Sequence, residues 1–235
     1  MKFISRYFSK LEIILWCCSA GAIILSFFLF DREKYLTLAA SLVGVTSLIF
    51  CAKGNPAGQV LMIIFSLLYG VISYNFAYYG EMVTYVGMTM PMAVISLISW
   101  LKNPYNGNRS EVAVNRISAR ECVFLCVLTT VVTAAFYFIL RAFGTANIIP
   151  STLSVTTSFA AVYLTFRRSI FFTAAYALND IILIILWTLA SIEDTQYIPV
   201  TVCFAAFLAN DIYGFISWRS MEKRQLQNNN VRRKI

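Results

Sequence analysis

Long apolar runs separated by short polar intervals dominate this chain. As helices that rise about 1.5 Å per residue, these runs are long enough to cross roughly 30 Å of hydrocarbon, whereas a membrane-spanning strand needs only about ten residues. The pattern therefore predicts eight transmembrane helices. The runs cover residues 11–30, 35–51, 57–79, 83–100, 121–143, 150–166, 170–192 and 197–218.

The composition supports a protein built in lipid. Of the 235 residues, 59% are hydrophobic and 13% are charged, with a mean hydropathy of +0.71, whereas charged residues make up about 25% of an average soluble domain. Lys2, Arg6 and Lys10 precede the first run as in a secretory signal, but the run is too long and no small-residue cleavage site follows it. We expect an all-α integral membrane protein that retains this first helix.

Positive charge is distributed unevenly between the intervals. With eight spans, 16 of the 19 Lys and Arg residues lie on one side of the membrane, because only Arg32, Lys34 and Arg141 lie on the other. Basic loops stay in the cytoplasm, so we expect both termini to be cytoplasmic in a multi-pass protein of the plasma membrane. The net charge of +8 then reflects topology and contact with anionic lipid, chiefly along residues 219–234, and no nucleic-acid partner is expected.

The sequence also contains signs of an internal repeat. The segment AVISLISW, which ends at Trp100, aligns with DIYGFISW, which ends 118 positions later at Trp218. The same shift places runs two to four nearly on runs six to eight, and Tyr69 on Trp187. Two three-helix units separated by one helix have the same orientation in the membrane, and such parallel repeats are a transporter design with the substrate held near mid-membrane.

The predicted architecture is therefore one extra N-terminal helix followed by a 3+1+3 parallel repeat. Its parts are an N-terminal cytoplasmic segment with the extra helix (1–34), a first three-helix bundle (35–100), a cytoplasmic loop with a linker helix (101–143), a second three-helix bundle (144–219) and a basic cytoplasmic tail (220–235).

Two Asn-Asp pairs are the most specific chemical feature of the sequence. Asn179 and Asp180 lie near the centre of the seventh run, and Asn210 and Asp211 lie at nearly the same depth in the eighth. An Asp at the centre of a transmembrane helix costs about 2.5 to 3.5 kcal/mol on insertion scales, so some interaction must compensate. These residues either join helices through hydrogen bonds or line a solvated cavity, and their pairing at one depth favours the cavity.

Aromatic residues share helical stripes with these polar groups. Asn179 and Trp187 are eight residues apart, and Asn210 and Tyr213 are three apart, while Asp211 shares a face with Trp218. An aromatic wall with a few polar groups suits a planar, hydroxylated solute. The first bundle offers less polar chemistry. The expected substrate-binding residues are Asn179, Asp180, Trp187, Asn210, Asp211, Tyr213, Trp218, Gln59 and Tyr69.

Other function classes find little support in the sequence. The chain contains no His, which removes histidine-based catalysis and metal binding, and it contains neither a phosphate-binding G-x-x-x-x-G-K-[ST] loop nor a cluster of several Asp. We therefore expect no enzyme activity, no catalytic residues, no metal and no cofactor. An ion-coupled symporter that uses Asp180 or Asp211 stays open, as does a structural or signalling membrane protein.

Three segments together resemble the PnuC family of vitamin-precursor transporters. They are LNDIILIILW at 178–187, NDIYGFISWRSMEKRQ at 210–225, and YYGEMVTY through ISWLKNPY in the first half. The resemblance implies a SWEET-like fold of three-one-three helices, a homotrimer, and facilitated diffusion followed by trapping of the solute through phosphorylation. It assigns polar positions of the site to Asn179 and Asn210. The family motif has Trp four residues before the first of these, and here that position is Ala175, beside Tyr176.

The family carries nicotinamide riboside or, in relatives, thiamine, riboflavin or deoxynucleosides. Nicotinamide riboside has a fixed pyridinium charge, which the carboxylate of Asp180 or Asp211 and the faces of aromatic rings would favour. Thiamine is also a cation, so this argument separates cations from neutral solutes better than it separates these two. The expected function is import of nicotinamide riboside, with thiamine or another vitamin or nucleoside as the alternative.

Overall fold

The computed structural model describes residues 7–76, 78–145 and 147–232, with side chains to residue 230. Within this part of the chain, eight helices are long and apolar enough to cross a membrane, which confirms the predicted all-helical, eight-span architecture. In chain order they are α1 (Lys10–Phe30), α2 (Tyr35–Ala52), α3 (Ala57–Asn75), α4 (Tyr79–Lys102), α5 (Ala119–Ala142), α6 (Ile148–Phe166), α7 (Phe172–Glu193) and α8 (Ile198–Arg232).

Local signals fix two of the helix starts. At α1, the Ser9 hydroxyl accepts a hydrogen bond from the Glu12 amide at 3.2 Å, and the Glu12 carboxylate accepts one from the Ser9 amide at 2.6 Å. At α5, the Ser118 hydroxyl accepts a hydrogen bond from the Glu121 amide. Each contact satisfies an amide that lacks a partner within its helix, so the chain enters both helices at a defined residue.

The boundary between the third and fourth helices differs from the sequence prediction. The third apolar run was predicted over 57–79 and the fourth over 83–100, but α3 ends at Asn75 and α4 begins at Tyr79. Hydropathy did not reveal the turn because the residues around it are aromatic. Glu81 lies between these two predicted runs in the sequence, whereas the structure places it inside α4.

The polar interval after α4 folds into a compact connection. Strands β1 (Pro104–Tyr105) and β2 (Asn108–Val112) form an antiparallel hairpin. The amide of Val112 donates to the carbonyl of Gly54 in the α2–α3 turn at 3.0 Å, and the amide of Asn115 donates to the carbonyl of Arg168 in the α6–α7 turn at 3.0 Å. The connection thus ties two other turns together at the end of the bundle that carries most Lys and Arg, here called the basic end.

Helix α8 continues well beyond the predicted membrane span. The sequence prediction ended the span at residue 218, whereas the helix reaches Arg232. Its extension packs on the hairpin, since the Gln225 amide nitrogen donates to the Val112 carbonyl at 3.0 Å and Arg224 forms an ion pair with Glu111 at 2.6 Å. The end of an apolar run marks where lipid ends, and polar residues with good helix propensity can extend the same helix into water.

The helices form two groups of three with two additional helices. Helix α3 packs against α2 and α4, and α7 packs against α6 and α8. The groups meet where α2 contacts α8 and where α4 contacts α6. Helix α1 packs on α2 and α8, and α5 packs mainly on α6.

Two Ser-Trp pairs join the groups at the basic end, and we call these the Ser-Trp contacts. In each pair the Ser hydroxyl and the Trp indole N–H donate to consecutive carbonyls in the last turn of the facing helix, where carbonyls lack partners within the helix. On α4, Ser99 donates to the Phe166 carbonyl and Trp100 to the Thr165 carbonyl, both at 2.9 Å. On α8, Ser217 donates to the Ala52 carbonyl and Trp218 to the Cys51 carbonyl, both at 2.8 Å.

Candidate functional site

A cluster of three aromatic rings closes the basic end of the bundle. The rings of Trp100 and Trp218 lie with centroids 5.5 Å apart, and Phe172 packs against them at 6.2 and 4.8 Å, respectively. Both tryptophans are fully buried, so the expected site residue Trp218 lies between the two groups of helices. We call these three residues the basic-end cluster.

A second aromatic cluster lies toward the opposite end, here called the far end. Trp187 is its centre and packs against four other rings, with the Tyr78 ring at a centroid distance of 4.7 Å and the Tyr69 ring at 6.2 Å. The Trp187 indole also donates to the Tyr69 hydroxyl at 2.7 Å, so two expected site residues from α3 and α7 are in direct contact. This far cluster consists of Tyr69, Phe76, Tyr78, Trp187 and Tyr197.

Tyr78 of the far cluster lies in the α3–α4 turn, outside the spans. Burial raises the pKa of its hydroxyl to about 12, and the nearby Tyr197, Glu193 and Glu81 act in the same direction. The side chain is therefore uncharged at physiological pH. It provides a neutral aromatic surface against Trp187.

The two carboxyl groups predicted from the sequence meet between these clusters. Asp180 lies about halfway between Phe172 and Trp187 on α7, and its carboxyl group lies next to that of Asp211 on α8. Both residues are buried, and Asp180 Oδ2 has no hydrogen-bond partner in the described chain. Two neighbouring buried carboxylates repel each other, so a second negative charge in the pair is unfavourable.

Asn179 is held in place by the helix that precedes α7. The hydroxyls of Thr157 and Ser158 on α6 both donate to Asn179 Oδ1, at 2.9 and 3.0 Å. With its oxygen occupied in this way, the side chain keeps its amide nitrogen as a donor of two hydrogen bonds. The structure thus orients a buried amide donor beside the Asp pair.

Asn210 and Tyr213 face the first helix. The Asn210 amide nitrogen donates to the Ser19 hydroxyl at 2.9 Å, which leaves the buried Oδ1 without a partner in the described chain. The Tyr213 hydroxyl donates to Glu12 at 2.9 Å, and Glu12 also pairs with Lys53 at 3.2 Å. The stripe that we expected to face the solute is therefore bonded to α1, while Asp211, on the adjoining stripe of α8, faces Asp180.

Gln59 lies apart from Tyr69, although both belong to α3. Its amide nitrogen contacts the Cys51 sulfur at 3.3 Å, and the Cys51 carbonyl accepts the Trp218 indole N–H. Gln59 is therefore on the basic-end side of the Asp pair, while Tyr69 belongs to the far cluster. The expected site residues thus occupy three levels along the bundle: Gln59 and Trp218 near the basic end, Asn179, Asp180, Asn210 and Asp211 in the middle, and Tyr69 and Trp187 toward the far end.

Sequence reasoning missed the buried carboxyl group of Glu81. This residue lies in the first turn of α4, and only 1% of its surface is exposed. The Ser154 hydroxyl on α6 approaches the carboxyl group, yet neither oxygen makes a well-formed hydrogen bond to the described chain. Tyr85 follows Glu81 by one turn of α4, and its ring centroid is 4.3 Å from that of Tyr69, so Glu81 lies toward the far cluster.

Helix α4 widens directly after this carboxyl group. Residues Tyr85–Thr89 form a π-helical turn, and Pro91 follows it. Since proline has no amide hydrogen to donate, it disrupts the regular α-helical hydrogen bonds of the preceding turn. π-Turns inside helices frequently mark functional sites. Thr89 lies in this turn, and its buried hydroxyl has no hydrogen-bond partner in the described chain.

Unpartnered polar atoms are concentrated where the two groups of helices meet. Buried polar groups nearly always have a hydrogen-bond partner, so several without one indicate a place for water or for a solute. The sequence signal that could have revealed Glu81 is the short interval that contains it, since residues 80–82 are too few to keep a carboxylate in water between two spans. Among the described residues, the unpartnered groups near the meeting of the two groups of helices include the side chains of Ser73, Glu81, Thr89, Ser96 and Ser154, together with one oxygen each of Asp180 and Asn210.

Comparison with known proteins was made at the level of family, sequence and fold. A family model described as nicotinamide mononucleotide transporter matches residues 34–220. The chain is 25% identical over 201 residues to the nicotinamide riboside transporter PnuC of Neisseria mucosa, covering 84% of this chain and 76% of the relative. It is 24% identical over 194 residues to the protein of the same name from Haemophilus influenzae, covering 82% of each.

A solved structure has the same fold. The crystal structure of the vitamin B3 transporter PnuC superposes with a TM-score of 0.81 at 22% sequence identity, covering 93% of this chain and 94% of that one. This match includes nearly the whole of both chains, so the overall fold is shared.

Proposed function

Since the chain belongs to the nicotinamide mononucleotide transporter family, as its resemblance to PnuC proteins predicted, we propose that it imports nicotinamide riboside across the plasma membrane. The observation that carries this proposal is the layer of buried amide and carboxyl groups, formed by Asn179, Asp180 and Asp211, between two aromatic clusters. Amide donors suit the ribose hydroxyls and the carboxamide, and aromatic faces suit the pyridinium ring.

The charge of the interior favours the riboside over the mononucleotide named by the family model. The interiors of the eight apolar runs contain no Lys or Arg apart from Arg141, near the end of the fifth. A phosphate group would therefore enter a region of carboxyl groups without a counter-charge. A pyridinium cation instead gains from the same carboxyl groups.

The paired contacts between the two halves support a parallel repeat. Tyr69 and Trp187, which are 118 residues apart, bond to each other, and Trp100 and Trp218 stack at the same separation. Contacts between equivalent residues are expected on a two-fold axis along the membrane normal. In this proposal the solute crosses along that axis, and the 3+1+3 groups move against each other around it.

Facilitated diffusion is the proposed mode of transport, with phosphorylation in the cytoplasm trapping the solute. No nucleotide-binding motif occurs in the sequence that would couple transport to ATP. One observation favours a second candidate, proton-coupled symport, because the neighbouring carboxyl groups of Asp180 and Asp211 are buried at mid-membrane, where such groups relay protons in transporters. The basic end, with both termini, is proposed to face the cytoplasm, and the assembly is proposed to be a homotrimer.

Binding measurements on the purified protein test the choice of solute. Isothermal titration calorimetry would compare nicotinamide riboside with thiamine, riboflavin, a deoxynucleoside and nicotinamide mononucleotide. We expect nicotinamide riboside to bind most tightly and the mononucleotide to bind at least about tenfold more weakly. Tighter binding of thiamine would assign the protein to the alternative vitamin, and tighter binding of the mononucleotide would contradict the charge argument.

A further inference from the structure

Glu81 is a buried carboxyl group that has no role in the transport path proposed above. It lies where α4 meets α6, toward the far end, and its two oxygens lack partners in the described chain. Four ion pairs form among the described residues, and none of them includes Glu81. A carboxyl group in this setting is unfavourable for folding, which points to a function outside the packing of the helices.

Aromatic side chains lie near Glu81. Tyr85 follows it by one turn of α4, and the Ser154 hydroxyl on α6 approaches its carboxyl group. The Tyr69 and Tyr85 ring centroids are 4.3 Å apart, and Tyr69 also contacts the Trp187 indole. A carboxyl group near several aromatic faces is a combination that binds an organic cation.

Glu81 is better suited to this role than the Asp pair. Asp180 and Asp211 lie next to each other, so each already has a polar neighbour. Neither oxygen of Glu81 has a hydrogen-bond partner in the described chain.

From these contacts we propose that Glu81 forms, with Tyr69 and Tyr85, the site that recognises the positive charge of the solute at the far end of the bundle. The inference rests on the proposed transport of an aromatic cation. In this site the cation supplies the partner that the carboxyl oxygens lack. Glu81 thereby distinguishes charged nicotinamide riboside from neutral molecules of the same shape.

The test compares two ligands that differ in charge and hardly in shape. Nicotinamide riboside is a cation, whereas its dihydro form has an uncharged ring with the same carboxamide and ribose. Affinities of both ligands are measured by calorimetry with the full-length purified protein, with Glu81→Gln, and with Glu193→Gln as a control. Glu193 is an exposed residue at the end of α7, so its substitution removes the same charge from the surface.

We expect the wild-type protein and Glu193→Gln to prefer the cation at least about tenfold over the neutral form. Glu81→Gln should bind the cation at least about tenfold more weakly and bind the neutral form within about twofold of the wild type. Its melting temperature without ligand should be equal or higher, because it removes a buried carboxyl group without a partner.

Four results would overturn the inference. If Glu81→Gln retains the full preference for the cation, or if the wild-type protein binds both forms equally, Glu81 is not the charge-recognising group. Neither result contradicts transport of the riboside. Equal weakening of both ligands with a lower melting temperature assigns Glu81 a structural role. A wild-type protein that binds neither form contradicts the proposed function itself, and the inference with it.

Discussion

At the scale of single residues, the two asparagines that looked equivalent in the sequence have different surroundings. Asn179 is oriented by two hydroxyls of α6, whereas Asn210 bonds to the first helix through Ser19. Helical periodicity places each side chain on a face of its own helix but does not say which helix covers that face. The assignment of both residues to a binding site therefore leads to two separate tests.

Replacing Asn179 removes the oriented amide donor next to the Asp pair. Asn179→Ala should weaken binding of nicotinamide riboside about tenfold, the effect of one lost hydrogen bond in an enclosed site. Calorimetry measures the affinity, and size-exclusion chromatography checks that the protein remains assembled. Wild-type affinity in a correctly assembled variant would contradict the role of Asn179 in the site.

Asn210 can be tested against its own partner. If its free Oδ1 contacts the solute, Asn210→Ala should weaken solute binding, while Ser19→Ala should leave affinity within about twofold because it removes only the bond to α1. Calorimetry on both variants separates the two effects. Equal affinity in Asn210→Ala and the wild type, with the same loss of thermal stability in both variants, would show that Asn210 only joins α1 to α8.

The Asp pair makes a prediction about stability. Asp180→Ala leaves Asp211 buried without its partner and should lower the free energy of unfolding by about 1–3 kcal/mol. Asp180→Asn should have a smaller effect, because its amide can donate to the remaining carboxylate. Thermal unfolding of the two variants in the same detergent provides the comparison. A variant with Ala as stable as the one with Asn would contradict an interaction between the two side chains.

At the scale of the secondary-structure elements, hydropathy predicted the eight helices because the membrane requires one length and one composition of each. Hydropathy did not locate the ends of these helices. Glu81 lies in the interval between the predicted third and fourth runs but belongs to α4, and α8 continues past Trp218, where its predicted span ends. The hydropathy pattern assumes regular α-helices, so it did not predict the π-turn at Tyr85–Thr89.

The Ser-Trp contacts are a second case in which the sequence showed a motif but not its role. The repeated ISW segments indicated related halves, and the structure places both indoles on carbonyls of the opposite half. Trp100 and Trp218 could have been residues of the lipid interface by sequence alone, yet both are fully buried. Which surface a terminal tryptophan meets depends on the neighbouring helix, and the sequence does not specify that neighbour.

Equivalent contacts in the two halves should have equivalent energies. Trp100→Phe and Trp218→Phe each remove one buried indole bond while keeping a ring, so each should lower the free energy of unfolding by about 0.5–1.5 kcal/mol. Trp16→Phe is the matched control, since its indole bond to Thr46 lies on the exposed surface of α1. Denaturant-induced unfolding monitored by circular dichroism measures all three, and a control as destabilised as the buried pair would contradict the importance of these contacts.

At the scale of the whole molecule, polar groups are enclosed between two aromatic clusters, and the two halves contact each other through equivalent residues. Such a molecule can expose its interior to one side at a time if the halves separate at one cluster while the other stays closed.

Helix α5 is the least buried of the eight helices, so it offers surface to lipid or to neighbouring subunits. The mass of the detergent-solubilised assembly, measured by multi-angle light scattering, should be that of a trimer, and a monomer would contradict the proposed assembly.

The final solute concentration inside proteoliposomes distinguishes facilitated diffusion from ion-coupled transport. Facilitated diffusion predicts that the solute reaches equal concentrations on both sides of a proteoliposome membrane, with or without a proton or sodium gradient. Accumulation above the external concentration under a proton gradient would instead support symport through the Asp180–Asp211 pair. Asp180→Asn would then be expected to abolish accumulation, because the pair could no longer exchange its proton.

Uptake of labelled nicotinamide riboside into liposomes that contain the purified protein tests whether this chain transports that solute. We predict saturable uptake that unlabelled nicotinamide riboside inhibits and that nicotinamide mononucleotide does not. Uptake no faster than into protein-free liposomes would contradict the claim that the buried amide and carboxyl layer forms a path for this solute.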